Sequence, residues 1–124
     1  MYTLTISLDD LEDKICENFK IEIEANKRIR ITSSSLEKYQ YLEIMPANFD
    51  KSKALKFLVN KWHLKLKNCM AIGDSLNDYE MLQKAGLGIM MKNGYSDLIK
   101  VATDMCDSNN KNGVGKAILK YILK

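Results

Sequence analysis

The second part of the sequence alternates between segments of helical periodicity and short, continuous apolar runs. The segment DKSKALKFLVNKW (50–62) places apolar residues at helical spacing, and YEMLQKAG (79–86) reads as a helix closed by its glycine. CMAI (69–72) and LGIMM (87–91) are continuous apolar runs, as expected of strands buried on both faces. Such strands can be buried only if helices cover the sheet, so the alternation predicts an α/β fold with a doubly wound, Rossmann-like parallel sheet.

The C-terminal segments continue this alternation. We expect a short helix in YSDLIKVA, a short strand in DMCD and a final amphipathic helix in GVGKAILKYILK (113–124). At the start of the helix in 50–62, either Asp50 or Ser52 could serve as the N-cap.

The first third of the sequence has a different pattern. RIRIT (28–32) and KIEIEA (20–25) alternate strictly and predict two strands joined by a hairpin turn at ANK. YTLTISL and YLEIM predict two more strands, and DDLEDKICENF (9–19) predicts a helix. One-faced strands of this kind are typical of an antiparallel α+β layer. Because the pattern changes at Pro46, the only proline, we predict an α+β segment at 1–45 and an α/β segment at 46–124.

Composition and charge narrow the class of protein. The 124 residues are 46% hydrophobic and 28% charged, as in a globular protein, with no apolar run near the ~18 residues of a membrane span. The N-terminus lacks a basic leader, so no signal peptide is expected. The net charge of +3 comes from scattered lysines without an arginine-rich stripe, so we expect neither nucleic acid nor a membrane as partner. Three separated cysteines indicate reduced thiols and a cytoplasmic location.

One polar segment, GDSLND (73–78), follows the apolar run at 69–72. Asp74 and Asp78 lie four positions apart, where a first helical turn would direct both toward one point. Two carboxylates beside a helix N-terminus suit Mg²⁺ and a phosphate together. Ser75 and Asp78 also match the S-x-x-D capping box, so the segment alone leaves open a helix cap or half of an active site.

The longer segment GDSLNDYEML resembles the fourth motif of the haloacid dehalogenase superfamily, in its Cof-type sugar-phosphatase branch. EIMPANFDKSKAL (43–55) resembles the junction between cap and core in that branch, and KAGLGIMMKNG and NNKNGVGKAI resemble the segments after the fourth motif. The resemblance implies that Asp74 binds Mg²⁺ directly and that Asp78 supports the metal site. It also implies that Asn77 contacts the phosphate and that Lys51 is the catalytic, phosphate-binding lysine, with Lys53 as an alternative.

The nucleophile of that family is absent from this sequence. The family uses an aspartate in a D-x-D motif, whereas no two aspartates here are separated by a single residue. The resemblance therefore implies a C-terminal fragment: a partial α+β cap at 1–45 and the C-terminal half of the core at 46–124. We expect a fragment of a Mg²⁺-dependent phosphatase of small phosphorylated metabolites that is inactive alone. The alternative is a stand-alone, non-catalytic module that binds phosphate or a partner.

The missing half also predicts how the chain associates. In the family the nucleophile strand lies beside the strand of the fourth motif, so the run at 69–72 would be left as an open edge. Exposed strand edges are normally paired or covered. A homodimer with paired edges, or an oligomer that swaps segment 1–45, is therefore expected.

Overall fold

The computed structural model describes residues 4–7, 18, 21–22, 25–33 and 41–124, and the described chain forms two compact units, Met1–Phe49 and Asp50–Lys124. The division falls after Phe49. The boundary predicted from the sequence, after residue 45, lies inside a strand that runs from Tyr41 to Pro46. The unit that begins at Asp50 contains the whole GDSLND segment and Lys51.

The first unit contains a three-stranded antiparallel sheet. Its strands are β1 (Leu4–Ser7), β2 (Ile29–Ser33) and β3 (Tyr41–Pro46), in the order β1-β3-β2. Ile44 of β3 lies between Leu4 and Ile31 in the register of the two pairings. Within the alternating segments at 2–8, 28–32 and 41–45, the described residues confirm strands of an antiparallel layer.

The strand predicted at 20–25 is wrong. Ile21 and Glu22 are helical, and the N–H of Ala25 donates to the carbonyl of Ile21 at 3.1 Å, which is an i to i−4 bond. The turn at Asn26 therefore leads from a helical turn into β2 and does not join two strands. Of the helix predicted at 9–19, only Asn18 lies within the described residues, and it is helical.

The second unit contains a three-stranded parallel sheet with helices between its strands. Its elements are α1 (Lys51–Lys61), β4 (Met70–Gly73), α2 (Tyr79–Lys84), β5 (Leu87–Met91), β6 (Asp104–Cys106) and α3 (Gly113–Tyr121). The strand order is β4-β5-β6, and both pairings are parallel. Short 3₁₀ helices occupy Leu76–Asp78 before α2 and Ser96–Lys100 before β6. The α/β class with a parallel sheet is confirmed.

The core of this unit forms between the sheet, α2 and the 3₁₀ helix Ser96–Lys100. Ala71, Leu82, Met90 and Leu98 form one buried cluster. Strand β5 is the central strand of the three, and its residues from Gly88 to Met91 are all buried, as its continuous apolar run predicts.

Several apolar residues of α1 and α3 remain exposed, unlike those of β5. On α1 the residues that point inward are Ser52 and Val59, whereas Phe57 is 67% exposed and Trp62, just after the helix, is 61% exposed. On α3 only Gly113 and Ala117 are buried, and Leu119 is 60% exposed. The helical periodicity found the helices correctly, but the described residues do not cover their apolar faces.

The end of α2 also differs from the prediction. The helix ends at Lys84 and its C-cap is Ala85, in an extended conformation, so Gly86 is not the C-cap. The role of Gly86 is steric, because a Cβ there would lie 2.1 Å from the carbonyl oxygen of Lys67.

In the described part of the chain, no helix is long and apolar enough to cross a membrane.

Candidate active site

The GDSLND segment lies where β4 ends. Gly73 is the last residue of β4, and the 3₁₀ helix Leu76–Asp78 leads directly into α2. The first turn of α1 approaches the same place, since the ammonium of Lys51 contacts residues of this segment. Loops at the carboxyl ends of parallel strands are where α/β folds place their ligands, so the location fits a binding site.

Asp78 is the buried centre of the segment. Its side chain is only 6% exposed, and its Oδ2 accepts hydrogen bonds from the backbone N–H groups of Asp74 (3.0 Å) and Ser75 (3.3 Å). Ser75 and Asp78 together form the capping box that the sequence suggested. Removal of this carboxylate would leave the two N–H groups without their acceptor, at a cost of about 1–3 kcal/mol for each buried donor.

Lys51 reaches this carboxylate from the first turn of α1. Its Nζ lies 2.6 Å from Asp78 Oδ1 and 3.3 Å from Asn77 Oδ1, and 48% of its side chain remains exposed. Lys53 contributes its backbone N–H to the N-cap Asp50. The structure thus brings the ammonium of Lys51 into contact with the segment.

Two hydrogen-bond donors hold the same side-chain atom of Asn77. Its Oδ1 accepts from the Ser75 hydroxyl at 2.6 Å and from the Lys51 ammonium at 3.3 Å. Among the described residues, the amide nitrogen has no acceptor in the protein. This nitrogen is therefore a donor available to an anionic ligand.

Asp74 is positioned through its backbone. Its N–H donates to Asp78, and its carbonyl accepts from the N–H of Tyr95 at 2.8 Å. The residue is exposed, and within residues 41–124 its carboxylate has no hydrogen-bond or ion-pair partner. An exposed carboxylate whose own N–H and carbonyl are both fixed is suited to direct binding of a cation.

The donor set allows only a partial Mg²⁺ site. Asp74 offers free carboxylate oxygens, whereas both oxygens of Asp78 are already engaged by Lys51 and by two N–H groups. No group of three or more His, Cys, Asp or Glu side chains arranged to hold a metal occurs among the residues that the structure describes. These oxygens fit a Mg²⁺ ion only if the ion keeps most of its ligands as water or phosphate oxygen.

Gly73 and Ser75 are two contributors that the sequence analysis did not single out for the site. A Cβ at Gly73 would lie 2.5 Å from the Cβ of Asp78, so a larger residue would displace the buried carboxylate. Ser75 orients Asn77 through its hydroxyl, in addition to its place in the capping box. The only sequence signal for either was the motif itself, because an ordinary turn also uses glycine and serine.

The capping box is therefore compatible with a candidate site in the same segment. Asp78 and Ser75 cap the 3₁₀ helix, and the same bonds present Asp74 outward and place Asn77 beside Lys51. An ammonium, an amide nitrogen and an exposed carboxylate near one strand end can hold a phosphate group together with a divalent cation.

Comparison with known proteins tests the family that the sequence resembles. The model of the haloacid dehalogenase-like hydrolase family matches residues 2–118. A 5-amino-6-(5-phospho-D-ribitylamino)uracil phosphatase of Bacillus subtilis, YcsE, is 36% identical over 116 residues, which are 93% of this chain and 43% of that protein. Kanosamine-6-phosphate phosphatase of B. subtilis is 26% identical over 110 residues, or 89% of this chain and 39% of that protein.

A solved structure gives the same result for the fold. A haloacid dehalogenase-like hydrolase from B. subtilis superimposes with a TM-score of 0.83 at 26% identity, over 98% of this chain and 40% of that chain. The protein thus spans less than half the length of these relatives. Because the family model matches nearly the whole sequence, the protein belongs to the haloacid dehalogenase-like hydrolases.

Proposed function

We propose that Lys51 and the segment 73–78 form the phosphate- and metal-holding part of a Mg²⁺-dependent phosphatase site. The observation that carries the proposal is the meeting of Lys51, Asn77 and Asp78 at the end of β4, with Asp74 exposed beside them. Both B. subtilis relatives are named for small phosphorylated metabolites. We therefore propose a small phosphorylated metabolite as the substrate of the complete site.

Each side chain has a distinct task in this proposal. The Lys51 ammonium donates to a phosphate oxygen and offsets the negative charge that grows on the phosphoryl group as it transfers. The amide nitrogen of Asn77 donates to a second oxygen, while its Oδ1 remains tied to Ser75 and Lys51. Asp74 holds Mg²⁺ directly, and Asp78 supports the site by fixing Asp74 and Lys51. When bound, Mg²⁺ supplies Lewis-acid polarisation of the phosphoryl oxygens.

The nucleophile is the missing part. The 124 residues contain no D-x-D motif, and Asp74 is assigned to the metal in our proposal. We propose that residues 1–124 bind phosphate and Mg²⁺ weakly and do not complete the phosphatase reaction alone. The stand-alone binding module remains the alternative, and coding sequence in frame upstream of Met1 distinguishes the two. A D-x-D strand there supports the phosphatase, and a stop codon supports the module.

Phosphate titration of the isotope-labelled protein in Mg²⁺ tests the proposal. We expect backbone amide signals of 73–78 to shift with an affinity in the millimolar range, because water fills most of the metal's ligand sphere. Lys51→Met should weaken phosphate binding about tenfold, as expected for one charge-assisted hydrogen bond. Lys56→Met is the matched control, since Lys56 is an exposed lysine of the same helix. Equal weakening by both variants would contradict the role of Lys51.

We further propose that the protein associates with itself. Strand β4 lies at one end of the described sheet and pairs only with β5 there, so its outer edge carries unpaired backbone groups. Phe57 and Trp62 add exposed apolar surface in the same unit. A second copy of the chain, joined by antiparallel edge pairing or by exchange of segment 1–45, would cover such surface.

The free cysteines Cys69 and Cys106 fit a reducing compartment, and we propose a cytoplasmic location.

Light scattering coupled to size exclusion tests the self-association. At micromolar concentration we expect a mass of twice the 14.2 kDa chain or more, with a shift to smaller species on dilution. A folded monomer of 14.2 kDa that persists across the whole concentration range would contradict the proposal.

A further inference from the structure

A second polar contact joins the two helices that flank the site. The ammonium of Lys84, at the end of α2, donates to the hydroxyl of Ser52 at 2.9 Å. Ser52 is only 1% exposed, and its hydroxyl donates in turn to Asp50 Oδ1. Asp50 is the N-cap of α1 and accepts the N–H of Lys53 at 3.2 Å. Lys84, Ser52 and Asp50 thus form one continuous hydrogen-bonded chain.

This chain and the site contact hold the start of α1 at two points. Lys51 bonds to Asp78, which directly precedes α2, and the adjacent Ser52 bonds to Lys84 in the last turn of α2. Lys84 lies six positions after Asp78, which is about 9 Å along a helix. Two attachments this far apart restrict rotation of the start of α1 about either contact, whereas one attachment would allow it.

Charge supports the same arrangement. Burial raises the pKa of Asp50, but hydrogen bonds from Ser52 and Lys53 and the positive charge of Lys84 oppose it, and the pKa is lowered overall. The carboxylate is therefore ionised at neutral pH and keeps the cap and the hydroxyl oriented. A buried hydroxyl between a carboxylate and an ammonium has both its donor and its acceptor function satisfied.

We propose that Lys84 and Ser52 are positioning residues for Lys51: they fix the first turn of α1 so that the Lys51 ammonium is presented at the end of β4. This inference rests on the proposed phosphate site for its functional meaning. The positioning itself concerns only contacts within Asp50–Lys124 and has a readout of its own.

The first experiment follows the Lys51 ammonium directly. Proton exchange at Nζ, measured by ¹⁵N NMR of lysine side chains, is slow when the ammonium is held in a hydrogen-bonded ion pair. We expect Lys84→Met to raise the exchange rate of Lys51 about fivefold, the factor that corresponds to loss of one ordinary hydrogen bond. Lys84→Arg should restore most of the protection, because the guanidinium can also donate to Ser52. Lys56→Met, which replaces an exposed lysine of α1, should leave the exchange rate of Lys51 unchanged.

Unchanged exchange at Lys51 in a folded Lys84→Met variant would overturn the inference. A dispersed amide spectrum verifies folding. If Lys84→Met does not fold, Ser52→Ala removes the same link with a smaller change in volume, and the same exchange rate decides the question.

The second experiment separates positioning from general stability. In Mg²⁺, Lys84→Met should weaken phosphate binding about fivefold in the wild-type background and should have no further effect in Lys51→Met. Equal weakening in both backgrounds would contradict action through Lys51. If the unmodified protein does not bind phosphate, the proposed function fails, whereas the exchange rate of Lys51 still decides the positioning role.

Discussion

Residues 1–124 are expected to hydrolyse p-nitrophenyl phosphate in Mg²⁺ no faster than buffer does. Phosphoryl transfer in this site would need a nucleophile within reach of a phosphate held by Lys51 and Asn77. Asp78 cannot serve, because its oxygens are bonded to Lys51 and to two backbone N–H groups. Without a nucleophile, we do not expect the turnover of about 1–1,000 per second that is typical of enzymes.

One result of this assay would contradict the expected lack of activity. Turnover on the order of one per second, abolished by Asp74→Ala and retained in Lys56→Met, would be the rate of an ordinary enzyme and would contradict the expectation. It would mean that another residue of this chain serves as the nucleophile. Turnover unaffected by Asp74→Ala would instead indicate a contaminating phosphatase.

The position of the candidate site in the fold could be predicted from sequence because its signals are local. An apolar run followed by GDSLND placed the polar residues at a strand end, and the structure has Gly73 there as the last residue of β4. The contact between Lys51 and Asp78 spans 27 positions in sequence, and only the resemblance to a family suggested it. The sequence suggested Ser52 only as a possible N-cap and gave no sign of its contact with Lys84, because a lysine and a serine on helices are usually exposed.

The errors in the fold prediction have physical causes. KIEIEA alternates as a strand does, yet Ile21 and Glu22 are helical, because alternation over six residues is too short to exclude a helix. The apolar residues of α1 indicated a helix correctly but not which face packs inward. Ser52 is buried because its hydroxyl bonds to Asp50 and Lys84, whereas Phe57 remains exposed.

The proposed assignment of Asp74 to the metal comes from the resemblance to the family, and the geometry of Asp74 is compatible with it. Its carboxylate is exposed, while its N–H and carbonyl are fixed by Asp78 and Tyr95. Mn²⁺ prefers the same oxygen ligands as Mg²⁺ and broadens nearby NMR signals steeply with distance. We therefore expect Mn²⁺ to broaden the NMR signals of residues at the end of β4 before those of other residues.

The most direct test of the central claim is the amide spectrum of residues 1–124 with phosphate and substoichiometric Mn²⁺. We expect selective loss of the signals of 73–78 and full recovery of those signals in Asp74→Ala. Asp97→Ala is the matched control, because Asp97 is paired with Lys100 and not with a residue of this segment, and the signals of 73–78 should still be lost in this variant. Broadening centred on another acidic residue, or broadening of 73–78 that persists in Asp74→Ala, would contradict a phosphate and metal site at the end of β4.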